Sequence, residues 1–379
     1  MTNYTVECKS CGVLFGKEKY TPKCSSCGRA VDIFYDYSGV EIQKNKSNML
    51  DKYRDILPIP GDSFTYKFPI PETPLIYSKK ISEICGSNIY LKYEGSLKTK
   101  STKDRMAPIA LAFLEQHGVK EITMSSTGNS STSIGTIAHL FPNMKIHIFV
   151  GTDFKDRLNI PDSSNVVVHI IEGNFILAGK KAKEYAAKNN LVFEGGFFNP
   201  GRREGLKLTY LEAIDQAPQE PTVVIQATSS GMGLYGAFKG FTEYRITKRL
   251  TSIPRIVCAQ QKSCAPMYNG WTSKKISLDD SDVIKEPQGL AYAILRGDAR
   301  ETYQYMRSIV DYTGGCFEAV DDVEIKNARR LAEKHEGLDV CNASSVALAC
   351  AIKLSSKNWI NSDDRVIVNL TGADRTSVN

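Results

Sequence analysis

Short runs of apolar, β-branched residues recur along most of the chain, separated by longer stretches with helical spacing. Strands are predicted at Asn88–Lys92, Glu121–Met124, Lys145–Val150, Val166–Ile171, Thr222–Ile225, Arg255–Cys258 and Arg365–Leu370. Helical patterns lie between them, at Lys103–Gln116, Phe175–Lys188, Leu234–Tyr244 and Glu324–His335. Strands apolar on both faces and alternating with helices predict an α/β protein with parallel sheets covered on both sides. There are enough strands for two such sheets, and a cleft between them is the default place for a site. Upstream, Asn48–Leu57 predicts a short helix stopped by Pro58 and Pro60. Pro58, Pro60, Pro69, Pro71 and Pro74 then predict an extended linker.

Composition narrows the function classes. The chain has 379 residues, 42% of them hydrophobic, which supports two or three domains with sizeable cores. Its formal charge of +6 is mild, and clusters such as Lys180-Lys181-Ala182-Lys183 read as solvated helix faces, not a nucleic-acid footprint. No apolar run is long enough for a membrane span, and Met1-Thr2-Asn3-Tyr4 leads towards Cys8 without a signal-peptide core. These features predict a cytoplasmic protein that binds neither nucleic acid nor membrane.

The ten cysteines are unevenly placed. Cys8-Lys9-Ser10-Cys11 and Cys24-Ser25-Ser26-Cys27 form two C-x-x-C knuckles, a spacing that directs four thiolates at one tetrahedral zinc ion. Four thiolates leave no open coordination position, so the zinc is expected to be structural. It would staple a segment too short to build its own core.

Three further stretches suggest chemistry. In Ser101-Thr102-Lys103-Asp104-Arg105 a lysine stands at a helix start, where partial positive charge favours the neutral amine that a Schiff base requires. On these five residues alone, an exposed lysine paired with Asp104 is the competing reading. Ser125-Ser126-Thr127-Gly128-Asn129-Ser130-Ser131 could hold an amino acid's carboxylate. Ala227-Thr228-Ser229-Ser230-Gly231-Met232-Gly233 joins a strand to a helix with small residues, as a phosphate cradle does, or as an ordinary turn does. It has neither the G-x-G-x-x-G spacing nor the G-K-[ST] ending of nucleotide sites. Leu370-Thr371-Gly372 ends the last strand with a hydroxyl.

In order along the chain, these pieces resemble the threonine synthase branch of the fold-type II pyridoxal-phosphate enzymes. Thr73-Pro74-Leu75 matches that family's T-P-L, Ser101-Thr102-Lys103-Asp104-Arg105 its S-F-K-D-R, and Ser126-Thr127-Gly128-Asn129 its S-T-G-N. Asn199-Pro200-Gly201-Arg202-Arg203-Glu204-Gly205-Leu206-Lys207 is similar to N-P-x-R-x-x-G-x-K, and Lys239-Gly240-Phe241 and Thr371-Gly372 continue the series. The resemblance implies two parallel-sheet α/β domains with a cleft, plus a small N-terminal zinc ribbon. It places the ribbon at 1–45, a large cofactor-binding domain at 46–95 and 200–379, and a small domain carrying the lysine and substrate loop at 96–199. It further implies pyridoxal 5'-phosphate as cofactor, an amino acid as substrate and a homodimer.

By position, the resemblance makes Lys103 the Schiff-base lysine and Asn129 the partner of the cofactor's 3-hydroxyl. Ser229, Ser230, Gly231, Met232 and Gly233 would cradle the phosphate, and Thr371 would face the pyridine nitrogen. Ser126 and Thr127 would bind the substrate carboxylate, and Arg202 the substrate's phosphate. The family's N-P-T-G is Leu97-Lys98-Thr99-Lys100 here, its G-N-x-G-N is Ser229 to Gly233, and its E-P-A-S is Cys341-Asn342-Ala343-Ser344. A serine expected two residues before Asn199 is Phe197. The implied activity is conversion of O-phosphohomoserine to threonine and phosphate. A β-replacement on O-phosphoserine or an O-acylated serine, as in cysteate synthase or cysteine synthase, is the alternative within this chemistry. A non-catalytic regulatory relative is the alternative outside it, and Lys103 argues against it.

Overall fold

The structure is a computed structural model that describes residues 4–16, 20–43 and 45–374. The chain divides into two compact units, passing between them after Glu72, Thr102 and Leu208. The first holds the described residues up to Glu72 together with Lys103–Leu208, and the second holds Thr73–Thr102 and the chain from Thr209 onward.

In the first unit a four-stranded sheet runs in the order Val166–Ile171, Lys145–Gly151, Glu121–Ser125, Val192–Phe193, parallel throughout. Ile122, Met124, Ile146, Ile148 and Val150 are buried, as expected of strands covered on both faces. The helix Lys103–Gln116 buries every residue from Arg105 to Leu114, which marks an interior helix. Phe175–Lys188 begins at Asn174, whose side chain accepts from the N–H groups of Ile176 and Leu177. Its buried stripe is Ala178, Ala182 and Ala186, small enough to let Thr123 reach the Ala182 carbonyl at 3.0 Å. N-terminal to these lies a three-stranded antiparallel sheet in the order Leu14–Phe15, Tyr4–Cys8, Val31–Tyr35.

Two expectations change in this region. The helix predicted over Asn48–Leu57 is a short α-helix, Met49–Lys52, followed by a 3-10 turn at Arg54–Ile56. The proline-rich linker contains a helix of its own, Asp62–Lys67, which fits between Pro60 and Pro69 because neither proline falls inside it.

The second unit carries a six-stranded sheet in the order Cys316–Val320, Arg255–Gln261, Val223–Ala227, Arg365–Leu370, Asn88–Tyr93, Leu75–Tyr77. All neighbours are parallel except the edge strand Leu75–Tyr77. The helix Asn342–Ser356 is buried from Ala343 to Ala351 and packs on this sheet through Ala343, Val346, Ala347 and Cys350. Asp322–Glu336 is delimited by a capping box at Asp321 and by Gly337, which closes it at φ +65°. A buried polar group sits at the Asn88–Tyr93 strand: Lys92 donates to the Thr73 carbonyl and Gln216, each at 2.7 Å, and pairs with Glu212. Among the described residues, no helix is long and apolar enough to cross a membrane.

Candidate functional site

In the first unit, Lys103 opens its helix and is half-buried. The neighbouring Asp104 accepts from the Ser133 hydroxyl at 2.7 Å, which ties this helix to Asn129–Ile137. Between the strand Glu121–Ser125 and that second helix lies the Ser126–Asn129 loop. Gly128 has φ +118°, and a Cβ there would lie 2.9 Å from Arg157 Cβ. The missing side chain admits Arg157, whose Nε donates to the Thr127 carbonyl at 2.9 Å and whose Nη2 donates to Asn129 Oδ1 at 3.2 Å. With Oδ1 so engaged, the Nδ2 protons of Asn129 remain for a ligand. Ser126 Oγ accepts from the N–H groups of Gly128 (3.1 Å) and Ser131 (3.2 Å), which leaves its own proton to donate.

Arg202 lies in the first turn of the helix Pro200–Gln216 and is 3% exposed. Its Nε donates to Glu194 Oε1 at 2.5 Å and its Nη1 to Ser130 Oγ at 3.2 Å. Nη2 is buried without a partner among the described residues, as is Oδ1 of the adjacent Asn199. An orphaned buried donor costs about 1–3 kcal/mol, more when charged, and an anion supplied by a ligand would remove that cost. Glu194 balances the guanidinium, while accepting also from Asn199 Nδ2 (2.7 Å) and the Gly196 N–H (3.0 Å).

The sulfurs of Cys8, Cys11, Cys24 and Cys27 all lie within 4.8 Å of one another, with two pairs at 3.5 Å. Gly12 and Gly28 follow the knuckles at φ +71° and +70°, and their N–H groups return to the carbonyls of Cys8 and Cys24 at 2.8 Å. Zinc–sulfur bonds of about 2.3 Å in a tetrahedron separate the sulfurs by about 3.8 Å, so this donor set fits that ion.

In the second unit the strand Val223–Ala227 leads through Thr228, Ser229 and Ser230 into the helix Met232–Ile246. No side chain caps the helix start, and Gly231 stands there at φ +82°. Met306 occupies the space a Gly231 Cβ would need, and a Cβ on Gly233 would lie 2.5 Å from Gln226 Nε2. Gln226 is held in turn by Tyr210 and by Asn369 Nδ2 at 2.9 Å. Burial pushes the Tyr210 phenol well above its ordinary pKa, so it stays a donor. Two glycines at an uncapped helix start, backed by fixed side chains, fit a phosphate group. Thr371 ends the strand Arg365–Leu370, and its hydroxyl has no partner among the described residues. Its carbonyl accepts from the Thr102 N–H at 3.0 Å, and Ser101 bridges Gly372. The unit thus sets Thr371 beside the two residues that precede Lys103.

The departures from the family pattern also have places. Lys100, where the family has glycine, adopts φ +55°, and its carbonyl accepts from Ala373 at 3.0 Å. Lys98 is exposed, and Lys100 Nζ lies 3.5 Å from the Asp374 carbonyl. Ser344 Oγ donates to the Gly372 carbonyl at 2.7 Å, and the Cys341 sulfur is 3.4 Å from that hydroxyl. Sequence reasoning missed Glu194, Arg157 and Gln226, which position other site residues. Glu194 had one signal, the Gly195-Gly196 pair after it, which makes the turn that aims its carboxylate back at Arg202.

The family described as pyridoxal-phosphate dependent enzyme matches residues 66–372. The chain is 27% identical over 383 residues to a threonine synthase of Methanocaldococcus jannaschii, covering 96% of this chain and 91% of that one. It is 26% identical over 395 residues to a cysteate synthase of Methanosarcina barkeri, covering 98% and 92%. In structure it is similar to maize serine racemase, with a TM-score of 0.66 over 81% of this chain and 90% of that one, at 18% identity.

Proposed function

The chain belongs to the pyridoxal-phosphate dependent enzyme family, and from that premise we propose that it is a threonine-synthase-like enzyme of fold type II. Its substrate is a phosphorylated amino acid, O-phosphohomoserine, which with water yields threonine and inorganic phosphate. The observation that carries the substrate reading is Arg202, a buried guanidinium whose Nη2 has no partner among the described residues. When bound, the cofactor supplies an aldehyde for the substrate amine and a conjugated ring that spreads negative charge from the α-carbon.

The chain's own residues do the rest. Lys103 is the residue that would hold the cofactor's aldehyde, and its Nζ, when not so engaged, would take the substrate's α-proton. Ser126, with Thr127, donates to the substrate carboxylate, and Asn129 directs its Nδ2 protons to the cofactor's 3-hydroxyl. The Ser229–Gly233 segment receives the cofactor phosphate on its N–H groups. Thr371 offers the pyridine nitrogen a neutral hydroxyl, which moderates the pull of the ring on electrons. Arg202 binds the substrate's phosphate. The four cysteines hold a structural zinc.

A second reading is a β-replacement on O-phosphoserine or an O-acylated serine. It is favoured by the altered Leu97–Lys100 segment and by the similarity to a protein named cysteate synthase. Titrating the purified protein with O-phosphohomoserine, O-phosphoserine and O-acetylserine separates the two. The leading reading expects O-phosphohomoserine to alter the visible absorbance and to release phosphate and threonine in equal amounts. A response to O-phosphoserine or O-acetylserine alone would replace it with the second.

A further inference from the structure

The Arg202 site is built against the N-terminal module along a continuous set of contacts. Tyr20, a buried residue between the two cysteine knuckles, donates from its hydroxyl to the Glu194 carbonyl at 2.6 Å. Gly195, at φ +96°, follows, and a Cβ there would lie 2.9 Å from Pro22 Cβ. Lys23 Nζ stands 4.2 Å from the centre of the Phe198 ring. Beyond the second knuckle, the Val31 carbonyl accepts from Arg203, which also donates to the Phe197 carbonyl at 2.6 Å. Tyr35 donates to Glu204 at 2.8 Å. The residues flanking Cys24 and Cys27 therefore grip the segment from Glu194 to Glu204 at both ends. Within that segment Glu194 takes the Nε of Arg202 and the Nδ2 of Asn199.

The grip has a direct consequence for Arg202. A guanidinium presents its donors in a fixed fork, so the Nε–Glu194 bond determines where Nη2 points. The carbonyl of Glu194 accepts from Tyr20, whose ring packs edge-on against Phe113 and whose chain runs on through Pro22 and Lys23 into Cys24 of the second knuckle. Closing that knuckle on a metal would hold the Tyr20 end of this linkage in place.

We infer that Tyr20 is a positioning residue for Arg202, through which metal occupancy of the four-cysteine module and anion binding at Arg202 are thermodynamically linked. The inference rests on the reading of Arg202 as the partner of the substrate's phosphate. Linkage is reciprocal: if the metal tightens the anion, the anion tightens the metal by the same factor.

The test uses the full-length holoenzyme. Zinc affinity is measured by competition with a chromophoric chelator, with and without saturating inorganic phosphate, in the wild type, Tyr20→Phe and Arg202→Lys. KM and kcat for O-phosphohomoserine are measured alongside. Phosphate is expected to tighten zinc by about fivefold or more in the wild type and to have no such effect in either variant. Tyr20→Phe is expected to raise KM by about five- to tenfold with kcat nearly unchanged, since a lost hydrogen bond acts here on ground-state binding. Zinc affinity indifferent to phosphate in the wild type would overturn the inference. So would an unchanged KM in Tyr20→Phe beside a raised KM in Arg202→Lys, which leaves the role of Arg202 intact. An Arg202→Lys enzyme with unaltered KM and unaltered phosphate effect would instead remove the reading on which the inference stands.

Discussion

Gly201 and Gly205 let the helix that bears Arg202 meet the helix that bears Lys103 backbone to backbone. A Cβ on Gly205 would lie 2.6 Å from the Arg105 carbonyl oxygen and from Met106 Cα, and one on Gly201 would lie 2.9 Å from Phe113 Cβ. Neither neighbour is a side-chain end that can turn away. Gly205→Ala gains up to about 1 kcal/mol of helix propensity and meets an overpacking cost of about 1–3 kcal/mol or more against main chain. The expected outcome is a lowered unfolding midpoint in urea, with weaker retention of the cofactor as the helix start at Lys103 shifts. A variant as stable as the wild type would mean that the two helices can separate freely. Lys100 is the converse case: a lysine held at φ +55°, a conformation glycine adopts without strain.

At the scale of elements, one carboxylate ties together the starts of three adjacent strands in the six-stranded sheet. Asp364 accepts from Arg255 at 2.7 Å on both oxygens, from the Thr222 hydroxyl at 2.7 Å and from the Asn361 N–H at 3.0 Å. Burial by itself would raise the Asp364 carboxyl. The Thr222 hydroxyl, the Asn361 N–H and the Arg255 guanidinium outweigh it and hold the group below the ordinary aspartate range. A carboxyl depressed by folding stabilises the native state above its unfolded pKa of about 3.9, and that contribution is lost as pH falls through the lower folded value. Asp364→Asn is therefore expected to destabilise the protein at pH 7 by about 1.5–3 kcal/mol, the usual worth of charged hydrogen bonds. The gap between variant and wild type should narrow below about pH 4. Urea unfolding of both proteins at pH 7 and pH 3 measures this, and a gap that does not change with pH would mean that ionisation of Asp364 does not stabilise the fold.

For the molecule as a whole, what was legible in the sequence is what depends on local pattern. Most strands of the two larger sheets were visible because they are short, apolar and bounded by turn residues, and Val166–Ile171 and Arg365–Leu370 run between the predicted bounds. Leu75–Tyr77, Val192–Phe193 and Cys316–Val320 were not, the first two being too short and the third interrupted by Glu318. The cysteine knuckles were visible because their spacing is itself the geometry. The helix Pro200–Gln216 was not, because it buries Arg203, Glu204, Lys207 and Glu212, so charge gave no sign of an inward face. Its partners are remote in sequence: Lys92 pairs with Glu212, and Tyr35 with Glu204. Glu194 and Arg157 were hidden for the same reason, since each acts by orienting a second side chain that only the fold brings near. The small residues of Ser229–Gly233 marked a turn from strand to helix, yet Gln226 beneath Gly233 carried no signal.

The proposed chemistry requires the cofactor to be held at Lys103. Reducing the wild-type holoenzyme with borohydride, digesting it and mapping the modified peptide by mass tests this directly. The expected result is a pyridoxyl group on Lys103 alone, and loss of both the modification and the visible absorbance in Lys103→Ala. A modified lysine elsewhere, or a Lys103→Ala protein with unchanged absorbance, would contradict it.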